Sequence, residues 1–426
     1  MATANDHLAN ARALVAQDRM FEAIDAYNKA IDADPVLADA YVELGRIELM
    51  RREVYDEAGT DKSDRSETFI EALKKAEGLV DHGLELAPNH VLGHAVKGLA
   101  RALDLDWRGA VGFLEKAVAA DDALTFAHFN LGRAYFETGN MARAEVEARK
   151  VLEQNPKHFQ AYFGLGQILI KLGKMKEGLD SILQALRVNP FYVPSYLFMA
   201  EFFLRTSKFE AGEKLVREGL RHVPSAPALY DALIKLCMAQ QDTKKALDAA
   251  VHVLRVRGDA TDYMTVGNLE LASGSIDKAE KAYKKAAELA PQAWEPYFNL
   301  GELYGVTVVA KNERDAQHFQ ELARGSYLRA QELAGNNYKI QNALALMEMK
   351  AGTVEACADA AKMFEAALAL NPDGNEARYN LALCLAKTGE NGRARQYVMD
   401  VIGKTRPGSD LHQQGQRLLG TLSKLR

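Results

Sequence analysis

The stretch that decides the fold is Ala161-Tyr162-Phe163-Gly164-Leu165-Gly166, which is followed twelve residues later by Gly178 and closed by Pro190. Similar series return along the chain, and the prolines Pro156, Pro190 and Pro224 are spaced by 34 residues. Self-similarity at a fixed period of 20 to 50 residues is typical of a repeat array. We therefore interpret nearly the whole chain as one stack of similar units.

One position of every unit is occupied by alanine or glycine. The eleven residues of this column are Ala23, Ala76, Ala110, Ala144, Gly178, Gly212, Ala246, Ala279, Ala323, Ala360 and Ala394. In most units a second small residue stands twelve positions earlier, as in Leu131-Gly132 and Leu165-Gly166. Two antiparallel helices approach to about 8 Å only where the residues at their crossing have almost no side chain. The pattern therefore predicts a helix, a tight turn and a second helix in each unit.

Large residues follow four positions after the small column in many units. They are predicted to fill the space between one helix pair and the next, and they are Tyr27, Leu114, Ile182, Tyr283, Tyr327 and Phe364.

The pattern resembles that of the tetratricopeptide repeat, a family of 34-residue helix-turn-helix units. The resemblance is carried by residues 161–166 with Pro190, and by His128-Phe129-Asn130-Leu131-Gly132-Arg133-Ala134-Tyr135 with Ala144 and Pro156. It implies an all-α fold over residues 4–408, an α-solenoid in which the repeats wind into a right-handed superhelix.

We predict a single solenoid of eleven repeats. Their boundaries are 4–37, 38–90, 91–124, 125–158, 159–192, 193–226, 227–259, 260–293, 294–337, 338–374 and 375–408. Two repeats carry long insertions, around 51–69 and around 305–314, and a third carries about three extra residues near 352–356. The first insertion is polar, which suggests helix extensions joined by a solvated loop. Insertions in such arrays lie in loops on one face, often the binding face.

Residues 409–426 are predicted to form a C-terminal capping helix. Leu411, Leu418, Leu422 and Leu425 fall on one helical stripe, with Ser409 or Asp410 placed as N-cap. His412, Gln413, Gln416 and Arg417 are expected on the opposite side. Such a helix would cover the apolar face that the last repeat otherwise leaves in water. A helix that docks on another protein is the alternative.

In the proteins that this chain resembles, the first helix of each pair lines the concave side of the array. The resemblance therefore implies that positions 2, 5, 9, 12 and 13 of a unit face a groove. These positions are apolar and rich in aromatic residues in repeats three to six, and far more polar in repeats seven to ten. With Asn130 added at the sixth position, the predicted groove residues are Leu92, Leu99, Phe126, Phe129, Asn130, Arg133, Phe136, Phe163, Gln167, Ile170, Leu197, Glu201 and Leu204. An aromatic patch that water can reach is typical of an interaction site.

Two interpretations of the aromatic patch stay open. A tight array would bury Phe126, Phe129 and Phe163 against neighbouring first helices, as core. Alternatively an apolar segment of a partner, helical or extended, lies in the groove.

Two peptide-binding devices of the family are only partly matched. Asn130 and Arg133 fit the clamp that holds the C-terminal carboxylate of chaperones, but Gly164, Pro194 and Phe198 replace its other residues. Asparagine occupies the sixth position, where some members grip a peptide backbone, in only three of the eleven repeats: Asn130, Asn299 and Asn380. An amide both donates and accepts a hydrogen bond, so each asparagine could contribute locally.

The composition is ordinary for a soluble protein, with 48% hydrophobic and 26% charged residues. No apolar run approaches the roughly 18 residues of a membrane span. The start of the chain lacks the basic and apolar regions of a signal peptide. We therefore expect the protein in the cytoplasm.

The charge is distributed unevenly. Residues 1–90 hold 10 Lys and Arg against 19 Asp and Glu, whereas the whole chain has a net charge of −5. An acidic end could attract a basic partner, although a solvated helical surface has the same composition. No concentrated basic stripe suggests binding to nucleic acid.

No motif for catalysis, for a cofactor or for a metal site stands out. His90 and His94 have the spacing of two metal ligands on a helix, but Pro88 marks a helix boundary and no third ligand is evident. His94 also takes the place of a packing tyrosine. Cys237, Cys357 and Cys384 have no ligand-like spacing and are expected to be buried apolar fillers.

The sequence thus favours a non-enzymatic scaffold or adaptor that binds an apolar peptide or helix of a partner protein in the groove of repeats three to six. The alternatives are a structural subunit of a large multiprotein assembly and an adaptor that regulates a chaperone or an enzyme. Recognition of RNA by a helical-repeat array is disfavoured by the charge balance. The sequence does not fix the oligomeric state.

Overall fold

The structure is a computed structural model that describes residues 2–50, 65–308 and 312–424. These residues form α-helices joined by short turns, with no strand among them. The all-α helical-repeat solenoid predicted from the sequence is confirmed. The residues divide into two compact units, Met1–Phe202 and Phe203–Arg426. None of the described helices is long and apolar enough to cross a membrane.

The first unit is built from paired helices. They are α1 (Ala4–Ala16), α2 (Met20–Ala33), α3 (Ala38–Leu49), α4 (Glu67–Leu86), α5 (Val91–Leu103), α6 (Trp107–Ala120), α7 (Thr125–Glu137), α8 (Met141–Gln154), α9 (Phe159–Lys171), α10 (Met175–Val188) and, up to Phe202, α11 (Val193–Arg205). Each odd-numbered helix from α1 to α9 packs on the helix that follows it. The first helices α3, α5, α7 and α9 also contact one another in succession, so they form a continuous surface.

The second unit repeats this arrangement. Its helices are α12 (Phe209–His222), α13 (Pro227–Ala239), α14 (Thr243–Val256), α15 (Ala260–Ala272), α16 (Ile276–Leu289), α17 (Glu295–Glu302), α18 (Glu313–Ala334), α19 (Tyr338–Lys350), α20 (Val354–Leu370), α21 (Asn375–Lys387), α22 (Asn391–Lys404) and α23 (Asp410–Lys424). From α13 to α22, each first helix packs on its second helix.

The small residues lie where the two helices of a pair cross, as predicted. All eleven residues of the small column are buried. A Cβ atom added to Gly166 would lie 2.7 Å from the carbonyl oxygen of Gly178, and one added to Gly178 would lie 2.7 Å from that of Gly166. The six large residues predicted to fill the space between pairs are at most 1% exposed. The fold therefore depends on missing bulk at the crossing and on large side chains beside it.

A recurring hydrogen bond ties the first helices to the preceding turns. The hydroxyls of Tyr196 and Tyr230 donate to the carbonyl oxygens of Pro190 and Pro224, at 3.1 and 3.2 Å. His94 Nε2 lies 2.9 Å from the carbonyl oxygen of Pro88 in the same way. His94 thus takes the role of the tyrosine that other repeats place there.

The described end of the first insertion is packed on the protein. Residues 51–64 lie outside the described part of the chain, but Arg65 donates hydrogen bonds to the carbonyl oxygen of Leu103 at 2.7 Å and to Asp104 at 3.1 Å. Its guanidinium lies 4.8 Å from the ring centre of Phe69, which is fully buried. The second helix α4 is extended to 20 residues, compared with 14 in α2.

The second insertion begins within a π-helical turn, Leu303–Thr307, at the end of α17. Val306 in this turn is 67% exposed, whereas Val308 packs on the core beneath it. Residues 309–311 lie outside the described part. The next helix, α18, has 22 residues.

The C-terminal helix α23 covers the last repeat. Leu422 is 1% exposed in a core cluster with residues of α19 to α22, and Leu418 and Leu419 pack beside it. The prediction for His412 is wrong, because this residue is only 9% exposed. Both ring nitrogens of His412 have partners in this buried place. Thr405 Oγ1 lies 3.3 Å from Nδ1, and Gln416 Nε2 lies 3.2 Å from Nε2. Leu425, predicted on the apolar stripe, lies outside the described residues.

The three cysteines are buried, as predicted. Burial raises the pKa of the Cys237 thiol to about 11 and that of Cys384, which also has Cys357 nearby, to about 12. Such thiols are protonated at neutral pH and serve as apolar fillers.

Candidate functional site

The surface formed by the first helices of unit one carries a series of aromatic rings, which we call the aromatic row. It consists of Phe129, His158, Phe159, Phe163, Tyr192 and Phe198. All six side chains are half-buried. Each ring is therefore supported by the protein on one side and reached by water on the other.

The rings contact one another in two groups. Phe129 of α7 lies against His158 with ring centres 4.7 Å apart. Tyr192 lies 4.9 Å from Phe159 and 5.5 Å from Phe163, and Phe163 lies 6.0 Å from Phe198 with the rings perpendicular. Such edge-to-face pairs are the favoured geometry of aromatic contacts. Because His158 and Phe159 are adjacent in sequence, the two groups adjoin.

The structure places the other predicted groove residues of α5 and α7 mostly next to the core. Leu92, Leu99 and Phe126 pack against a core cluster of α3 to α5. Phe136 packs against the cluster that surrounds Ala144. Arg133 is exposed, and its guanidinium lies 5.3 Å from the ring centre of Trp107. Within the described part of the chain, none of these residues makes a ring contact with the aromatic row.

Asn130 has an internal role. Its side chain is 5% exposed, and Nδ2 donates a 2.8 Å hydrogen bond to the carbonyl oxygen of Phe126. Since one of its donors is used within α7, it is less suited to grip a peptide backbone than the sequence suggested.

The remaining predicted residues lie on α9 and α11. Ile170 is turned towards the crossing of α9 with α10, since its Cγ1 would lie 2.6 Å from a Cβ atom added to Gly178. Gln167 and Leu197 are half-buried, and Glu201 is exposed. Leu204 is half-buried and belongs to the second unit.

Four of the six residues of the aromatic row, His158, Phe159, Tyr192 and Phe198, are not among the groove residues predicted from the sequence. His158 and Phe159 stand at the very start of α9, and Tyr192 lies in the turn before α11. Positional rules for the helix interior do not cover such residues. A signal was nevertheless present, because aromatic residues cluster at the ends of the turns that close at His158 and Tyr192 and in the first residues after them.

His158 also caps α9. Its Nδ1 accepts a 3.2 Å hydrogen bond from the backbone N–H of Ala161, so this nitrogen carries no proton. Burial lowers the pKa of His158 below its ordinary value of 6.5. The folded protein therefore keeps this ring neutral.

We expect this cap to make stability depend on pH. A histidine whose pKa is lowered by folding contributes stability that is present above pH 6.5 and is lost as the pH falls through the folded-state value. In His158→Asn the cap does not titrate, so the fall in melting temperature between about pH 7 and pH 5 should be smaller than in the wild type. His158→Ala should be less stable already at pH 7, by about 1 kcal/mol. Equal pH dependence in wild type and His158→Asn would contradict the assignment.

Several of the polar residues at the corresponding repeat positions in unit two are paired within the protein. Asp231 forms an ion pair with Arg257 at 3.1 Å. Glu302 accepts a hydrogen bond from the hydroxyl of Tyr327 at 2.5 Å, and Asn268 accepts one from Tyr283 at 2.8 Å. In the described part of the chain, no group of three or more His, Cys, Asp or Glu residues is placed to hold a metal ion.

Comparison with known proteins identifies related repeats. A family model described as tetratricopeptide repeat matches residues 8–63, 129–192, 266–304 and 357–409. Yeast Tom70 is similar in structure at 14% identity, with 99% of this chain and 95% of that chain covered and a TM-score of 0.44. The C-terminal part of a TPR repeat-containing protein from Cytophaga hutchinsonii has 14% identity, coverage of 59% and 99%, and a TM-score of 0.48. YrrB, described as a TPR protein with an unusual peptide-binding site, has 19% identity, coverage of 45% and 88%, and a TM-score of 0.33. No curated protein matches the sequence.

Proposed function

Because the chain belongs to the tetratricopeptide repeat family, we propose that it is a protein-binding scaffold or adaptor that holds an apolar segment of a partner along the aromatic row. The tetratricopeptide repeat is generally a non-enzymatic fold for protein–protein interaction. The proposal therefore concerns which surface binds and what chemistry the partner brings.

The observation that carries the proposal is the contact of half-buried rings across neighbouring first helices. Phe129, Phe163 and Phe198 belong to three different helices, and each is exposed enough to bury more apolar area on binding. Burying apolar surface contributes about 25 cal/mol per Å², and aromatic side chains are enriched among the residues that dominate binding energy. Their rotamers are already restrained by ring contacts, so little entropy is lost when a partner binds.

We expect Phe129→Glu and Phe163→Glu to weaken partner capture by at least about tenfold, because each places a charge where an apolar side chain has to dock. Phe21→Glu is the matched control, since Phe21 lies on a second helix of the same unit and is 81% exposed. The measurement is quantitative mass spectrometry of proteins captured from native lysate by the full chain. Circular dichroism of each variant verifies that the helices are intact.

The outcomes separate the proposal from its alternatives. Loss of the same partners in both row variants, with Phe21→Glu unchanged, supports it. Unchanged capture by folded row variants would contradict it. A structural subunit of a large assembly would instead bring down one fixed set of proteins in stoichiometric amounts, insensitive to any single substitution.

A further inference from the structure

An open cavity of about 710 Å³ lies in the second unit, between α12, α13 and α14. Leu220, Leu233 and Ala249 supply apolar lining. Tyr230 and His252 stand beside them as a stacked pair, with ring centres 5.8 Å apart and an angle of 13° between the planes. Within unit two the cavity thus has an apolar part beside an aromatic pair.

The charged lining of this cavity is predominantly basic. Arg217, Arg221, Lys245 and Arg255 face Asp248 as the single acidic lining residue. Glu213, which stands next to the cavity, pairs with Arg217 at 2.9 Å and with Lys245 at 3.4 Å.

Two of the arginines have no such partner. Among the described residues, Arg221 and Arg255 make neither an ion pair nor a side-chain hydrogen bond, and both are exposed. Unpaired guanidinium groups present planar donor forks that match carboxylates, and they need no internal bond to be broken before a ligand binds. The cavity therefore carries two cationic groups available to an anionic partner.

The spacing of the basic groups favours an extended chain over a single anion. Arg217 and Arg221 are four residues apart on α12, which places their side chains about 6 Å from each other. Lys245 and Arg255 are ten residues apart on α14, or about 15 Å along the helix axis. In an extended peptide, side chains on the same side repeat about every 6.7 Å. The basic lining thus extends about 15 Å along α14 alone, which is more than one phosphate can contact, and this length favours an extended chain that carries several carboxylates.

We propose that this cavity binds an extended acidic segment of a partner protein, whose carboxylates pair with Arg221 and Arg255 while an apolar side chain packs beside Tyr230. The site lies in the second unit and is independent of the aromatic row, so it goes beyond the proposed function. Either site stands if the other fails.

The test uses the full chain and a fluorescein-labelled peptide of about ten residues in which glutamate alternates with threonine around a central leucine. Fluorescence anisotropy at about 50 mM salt should show saturable binding that weakens at about 300 mM salt, because added ions screen the charges. The same peptide with glutamine in place of glutamate should bind at least about tenfold more weakly.

The double substitution Arg221→Ala with Arg255→Ala should weaken binding of the glutamate peptide by at least about tenfold. Its matched control is Arg108→Ala with Arg406→Ala, which removes two exposed arginines outside the cavity and changes the net charge equally. Equal affinity of the two double variants would overturn the proposal, because a general charge effect would then explain binding. Displacement of the peptide by millimolar inorganic phosphate would assign the cavity to a small anion and would also overturn it.

A second copy of the chain, whose residues 1–90 are acidic, is the other possible source of an acidic segment. The mass of the chain without peptide is measured at micromolar concentration. If the wild type forms a dimer and the variant with Arg221→Ala and Arg255→Ala does not, the cavity binds a second copy of the chain. The assignment to a separate partner is then overturned. A constant mass for all variants, together with the peptide results above, supports it.

Discussion

Gly166→Ala is expected to lower the free energy of unfolding by about 1 to 3 kcal/mol, although alanine is the better helix former. The added Cβ would lie 2.5 Å from Cγ1 of Ile182 and 2.7 Å from the backbone oxygen of Gly178. Ile182 is fully buried and cannot swing away, and a backbone carbonyl has no rotamer to change. The helices α9 and α10 must therefore separate, which also opens the packing of their neighbours.

Gly164→Ala is the matched control because it lies on the same helix and its added Cβ meets nothing within 4 Å. Replacing glycine by alanine in a helix interior, with no clash, should raise stability by about 0.5 to 1 kcal/mol. The two variants should thus shift denaturant unfolding, followed by circular dichroism, in opposite directions. Hydrogen exchange in residues 159–188 locates the change, since a chain with two compact units need not unfold in one step. Equal shifts in both variants would show that the clash at the crossing of α9 and α10 is not the cause of the stability change.

Asp262→Ala is expected to lower the free energy of unfolding by about 2 to 4 kcal/mol. The Asp262 side chain is 1% exposed and accepts hydrogen bonds from the backbone N–H groups of Gly258 at 2.9 Å and Asp259 at 3.3 Å. It also pairs with Arg257, and with Asp259 it forms a capping box at the start of α15. Alanine removes the acceptor of the backbone N–H groups of Gly258 and Asp259 and of the Arg257 guanidinium. It also removes one of the two side chains of the capping box.

Two variants show whether burial or capping causes this loss. Asp262→Asn keeps a carbonyl oxygen as acceptor and should lose less stability than Asp262→Ala. Asp6→Ala removes the equivalent residue of the capping box with Thr3 at the exposed start of α1, and its effect should be much smaller. Thermal unfolding of the three variants under the same conditions is the measurement. If Asp6→Ala and Asp262→Ala are equally destabilising, burial has no part in the effect.

Much of the fold could be predicted because the repeat imposes the same physical requirement many times. A residue such as Ala144 or Gly178 recurs where two helices cross, and the large residue four positions later recurs beside it. Errors arose where a residue departs from the repeat. His412 was expected on the side of the helix opposite the leucine stripe, but it is buried, and Thr405 and Gln416 are the partners of its ring nitrogens. Polar residues outside a periodic pattern follow their local partners rather than their average preference.

The candidate site was predictable only in part. Phe129 and Phe163 could be named from their positions in the repeat, whereas Tyr192 and His158 join them from turns that have no such positions. The basic cavity of unit two escaped sequence reasoning altogether. Its cationic side chains belong to α12 and α14. Which of them form an ion pair depends on the position of the Glu213 carboxylate, which pairs with Arg217 and Lys245.

The sequence alone determined that the chain is an array of helix pairs, because periodic small and large residues leave helices no other close packing. Which exposed side chains meet was decided only by the tertiary structure. A repeat fixes the helical position of each residue, but contacts between turns and across non-adjacent helices depend on side-chain direction and on competing hydrogen bonds. For this reason the aromatic row and the unpaired Arg221 and Arg255 appear only once the helices are placed.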